Sequence, residues 1–123
     1  MKLYYISCPI YNATILLFTG PREIVHKWFE RHDITIAINP DSYMEAGQFN
    51  PENATDKKFY LWVGDFKQNA EDVACAIHEF FHVVSLILLE VGIKHNNETE
   101  EAYAYLLSWL SAEVFKRLFK YTK

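Results

Sequence analysis

The chain has 123 residues, half of them apolar and 16% aromatic, with a net charge of −4. The length suits one domain spanning residues 1–123 with a core of its own. The charge argues against nucleic acid as a partner, since no basic cluster precedes Lys116, Arg117, Lys120 and Lys123, and those suit the last turn of a helix.

Lys2 stands ahead of a short apolar stretch and Cys8, but Pro9 follows at once and the stretch is too brief for a signal segment. Neither a signal peptide nor a membrane span is expected, and the expected location is the cytoplasm. The N-x-T triplets at Asn12, Asn53 and Asn97 then carry no meaning as glycosylation sites. Cys8 and Cys75 are too few and too far apart for a disulfide framework.

Residues 3–7 form a short β-rich run. Residues 13–19 form a second, with Ile15, Leu16, Leu17 and Phe18 too apolar for an exposed edge. Gly20-Pro21 ends it and opens a helix over 22–32, whose apolar face is Ile24, Val25, Trp28 and Phe29. Residues 34–38 alternate and branch like a strand that stops at Asn39-Pro40. Residues 41–57 are polar, contain Gly47 and Pro51, and predict a long surface connection. Residues 58–63 predict a strong strand ended by Gly64-Asp65.

A long helix then begins near Asn69, which can cap it, and runs to Val91, where Gly92 supplies a left-handed stop. It is apolar nearly all round, which predicts burial nearly all round. The polar exceptions are Glu71, Cys75, His78, Glu79, His82 and Ser85, on one stripe. Within that stripe lies His78-Glu79-Phe80-Phe81-His82, an H-E-x-x-H sequence. Positions four apart share a helix face, so His78 and His82 can aim at one metal ion. Glu79 lies about 100° round the axis, where a carboxylate can take a proton from a metal-activated water. A last helix is expected from Asn97, with Glu100 three residues later as in a capping box, to about residue 120. The order is β-β-α-β-β-α-α, an α+β chain with a small, mainly antiparallel sheet.

Two histidines need a third protein ligand for a catalytic zinc. The residues downstream offer His95, Glu98, Glu100 and Glu101. The stretch from His78 through Val91-Gly92-Ile93 to Glu101-Ala102-Tyr103-Ala104-Tyr105-Leu106 resembles the minimal gluzincin metallopeptidases, members of the zincins, and is similar to small H-E-x-x-H proteins of phages and prophages. The resemblance implies a single zincin-like domain with a glutamate helix, with Glu101 as third ligand to Zn²⁺ beside His78 and His82. It implies Glu79 as the catalytic base and a peptide or protein as substrate. Tyr105, one turn beyond Glu101, is a candidate for stabilising the oxyanion. Residues 59–63 are expected to flank the cleft and pair with an extended peptide. The alternative is a non-catalytic phage accessory or virion-associated protein with a structural metal, located in the host cytoplasm like the peptidase if phage-encoded.

Overall fold

The computed structural model describes residues 1–36, 38–49 and 57–120. The elements follow as β1 (Lys2–Cys8), β2 (Ala13–Thr19), α1 (Arg22–Arg31), β3 (Glu45–Gln48), β4 (Lys58–Trp62), α2 (Ala70–Glu90) and α3 (Glu100–Leu118). The fold is α+β, as the sequence predicts. Its sheet has the order β1-β2-β4-β3, with β2 and β4 parallel and the other two pairs antiparallel.

The alternation of β2 and β4 explains their unbroken apolar character. Ile15, Leu17, Phe59 and Leu61 face one core with Phe80, Val83, Val84 and Ile87 of α2 and Leu106 and Leu110 of α3. Leu16, Phe18, Tyr60 and Trp62 face a second core with Val25 and Phe29 of α1. Strands covered on both faces need apolar residues at every position, not every second one.

Two local predictions are corrected. Residues 34–36 and 38 are not a strand, and Ala37 lies outside the described residues. Ile34, Ile36 and Ile38 instead pack against the α1-side core, and the Ile38 carbonyl accepts from Arg22 Nε and Nη2 at 3.1 and 2.9 Å. The third strand lies in the stretch read as a loop, at Glu45–Gln48, where Glu and Gly hide the strand signal. Gly47 is required there, because an added Cβ would sit 2.6 Å from the Tyr60 ring. Residues 50–56 of the expected connection lie outside the described residues.

The ends of α2 form as read. Asn69 Oδ1 accepts from the Asp72 N–H at 2.8 Å. Gly92 has φ +82°, and the N–H groups of Gly92 and Ile93 return to the carbonyls of Leu89 and Leu88. The start of α3 is later than expected. Thr99 precedes it without a side-chain cap, and Asn96 Oδ1 instead gathers the N–H groups of Glu98 and Thr99. Nor is α2 buried all round. Ile77, His78, Phe81, His82 and Leu89 are exposed on its outer face, although its length and composition alone would also suit a membrane-spanning helix.

Candidate metal centre

The α-helical repeat of α2 stacks His78 and His82 one turn apart on its outer face. Their Nε2 atoms are 3.1 Å apart. A tetrahedral zinc bound to each nitrogen at 2.0–2.1 Å would hold them about 3.3 Å apart, so the pair, here within hydrogen-bonding distance, could share an ion. Glu79 lies round the helix toward β3, with its Oε2 3.9 Å from His78 Nε2. The ligand atoms of His78, Glu79 and His82 all fall within 4.8 Å of one another, and this trio can hold a metal ion. It is the one such group among the described residues.

The environments of the three side chains differ. The His78 side chain is 69% exposed, whereas Glu79 retains 14%. Burial pushes the Glu79 carboxyl above its usual range, against the opposing pull of His82 and His78. The backbone N–H of Ala46 favours the ionised form. A carboxylate raised in this way is poised to accept a proton at moderate pH.

β3 forms the wall beside Glu79. The Phe49 N–H donates to the Lys58 carbonyl, and the antiparallel register then turns the main-chain groups of Glu45 and Gly47 toward β4. Those of Ala46 and Gln48 point to the outer edge, where the Ala46 N–H meets the Glu79 carboxylate. β4 lies between β2 and β3, so its own edges are both taken and it cannot pair with a peptide as the sequence suggested. Two cavities of about 430 Å³ each lie on either side of Glu79 and share Met44. One is lined also by Tyr43, Cys75 and His78, the other by Ala46, His82 and Leu86.

Hydrogen bonds hold this wall in place. The Tyr43 hydroxyl donates to Asp72, and the Lys67 N–H donates to the other Asp72 oxygen at 2.7 Å. Glu45 accepts from the Tyr60 hydroxyl at 2.9 Å, and from Ser42 Oγ and the Asn39 N–H at 3.1 Å each. Burial and this bond to Glu45 raise the Tyr60 phenol above its usual range.

The remaining candidates are spread out. Glu101 is exposed in the first turn of α3 and lies outside the converging trio, as do Glu98 and Glu100. The His95 ring packs edge-on against Phe81 and Tyr103 at centroid distances of 6.0 and 4.7 Å. Tyr105 is 72% exposed and lines a separate pocket with Cys8, Ile10 and Trp109. Sequence reasoning missed Tyr43, Met44 and Glu45, which stand in the stretch read as a connection. Asp72, three residues after the capping Asn69, is a further one. A carboxylate one turn into an apolar helix was the available signal for Asp72.

Comparison with protein-family models, with curated proteins and with solved structures finds no match. The chemistry of the site therefore rests on its own side chains: two imidazoles set edge to face one helical turn apart, a largely buried carboxylate and an adjacent open groove.

Proposed function

We propose that this chain is a zinc-dependent peptidase, with the metal held by His78 and His82 and with Glu101, which the family resemblance implies, as the third ligand to be tested. The observation that carries the reading is the close pair of His78 and His82 nitrogens with the Glu79 carboxylate beside them, facing a groove under an outer strand edge. A bound zinc supplies Lewis acidity, activating a water and polarising the scissile carbonyl. Glu79 takes the water's proton on a carboxylate oxygen and passes it to the leaving amine nitrogen. The Ala46 carbonyl and the main-chain groups of Gln48 on β3 offer partners to an extended peptide, while the Ala46 N–H serves Glu79. The cavities on either side of Glu79 receive its side chains.

The openness of the groove favours a catalytic over a structural ion, because structural zinc sites are closed by four protein ligands. Metal content by mass spectrometry tests the assignment, on wild type, His82→Ala and Glu101→Ala. About one zinc per chain, lost in both variants, supports the three ligands. Loss in His82→Ala alone moves the third ligand elsewhere. Peptide turnover that is present in wild type and abolished in Glu79→Gln supports the peptidase. Metal without turnover on a peptide library refutes it.

A further inference from the structure

A further cavity, of about 500 Å³, lies apart from the histidines, where the start of β1, the turn after β2, the loop after β4 and the end of α3 meet. Lys2, Lys67, Arg117 and Lys120 line it, and Asp65 is the one carboxylate among its lining residues. The chain carries 16 acidic residues against 12 basic, so this concentration runs against its overall charge. Lys2 and Lys120 have no ion-pair partner among the described residues, and Lys67 has the charge of Asp72 within electrostatic reach but no direct ion pair. Arg117 turns Nη1 to the carbonyl and carboxylate of Glu113, which leaves its other guanidinium nitrogens for a ligand.

The dipole at the end of α3 accounts for Arg117 and Lys120. It does not account for Lys2 and Lys67, which come from two other segments. Lys116 shows the contrast: it stands beside Arg117, pairs with Glu113 at 2.7 Å and does not line the cavity. Cations that converge from separate elements repel one another unless an anion joins them. A phosphate group matches them, with several charges and several acceptor oxygens for ammonium and guanidinium donors. We infer that this cavity is a binding site for a phosphate group, free or carried on a small molecule. The volume exceeds what phosphate alone needs, and Tyr4 and Phe66 on its wall offer an apolar surface to an attached organic part.

The test is a calorimetric and amide-NMR titration of the full chain with inorganic phosphate and then with AMP, at low salt. The inference expects saturable binding, with shifts at Lys2, Gly20, Lys67 and Arg117. It expects at least about tenfold weaker binding in Lys2→Gln/Lys67→Gln, a loss typical of removing charge-assisted contacts, at unchanged melting temperature. Lys116→Gln is expected to bind as wild type does. His82→Ala is expected to retain binding, which separates this site from phosphate captured at the metal centre. AMP binding tighter than phosphate identifies an organic phosphate as the ligand, and equal binding identifies the free ion. Absence of saturation, equal affinity in the double variant, or shifts confined to the histidine face would each overturn the inference.

Discussion

The Tyr43 hydroxyl donates to Asp72, a carboxylate only 2% exposed, and this contact joins the chain entering β3 to the first turn of α2. The wall of the groove and the helix that bears the histidines are thereby held together at a point two turns from Glu79. Asp72→Ala leaves the Tyr43 and Lys67 donors without their acceptor. It should cost about 1–3 kcal/mol in urea denaturation, the usual effect of deleting one partner of a buried polar group.

The same contact predicts a pH dependence. The bond from Tyr43, then that from the Lys67 N–H, hold the Asp72 carboxyl below its ordinary 3.8. A depressed carboxyl contributes stability that is complete above the unfolded value and is lost as pH falls through the folded one. The stability advantage of wild type over Asp72→Asn should therefore persist at pH 5 and shrink below 3.8. Acid unfolding curves of the two proteins measure it.

Removing the metal should be visible in the melting temperature. An ion that binds only the folded chain stabilises it by about 2.7 kcal/mol at a hundredfold excess over Kd. Chelator should lower the melting temperature of wild type. His78→Ala and His82→Ala should melt near the chelated wild type and show no response to added zinc.

Glu79→Gln should retain zinc and lose hydrolysis by at least about a hundredfold, as expected when a general base is removed. In metal-free protein it should also be more stable than wild type at neutral pH. Burial raises the Glu79 carboxyl above 4.5, so its stability contribution is full below 4.5 and is lost as pH rises through the folded value. Glutamine carries no charge to desolvate. Thermal melts at pH 4 and pH 7, with chelator present, compare the two.

Gly47→Ala should destabilise by about 1–3 kcal/mol, the range for forcing atoms into a packed site. Its new Cβ would meet the Tyr60 ring, which its bond to Glu45 holds in position. Tyr60→Leu in the same chain should recover part of the loss, and a double-mutant cycle reads the coupling.

The sequence makes the helices and the paired strands legible because their signals are local. Asn69 and Gly92 bracket α2, and the double-sided burial of β2 appears as an unbroken run from Ile15 to Phe18. The histidine pair follows from spacing alone. β3 was hidden because its register depends on a partner distant in sequence, and because Gly47 is there for the Tyr60 ring, not for strand propensity. Residues 34–38 have strand-like alternation, yet their isoleucines serve packing against α1 without a ladder. Exposure of the histidine face was also hidden. An apolar helix gives no sign of which side its neighbours leave open.

The parallel pairing of β2 with β4 has a bearing on how the groove comes into being. Two parallel neighbours cannot be joined by a tight turn, so α1 and β3 both lie in the connection between them. The wall facing Glu79 is thus set in place from within a loop that closes only when two distant strands meet. A nascent α2 already carries both imidazoles but has no wall opposite them. Long-range closure of this kind is slow, so the two imidazoles can be paired on α2 before the wall beside Glu79 has formed.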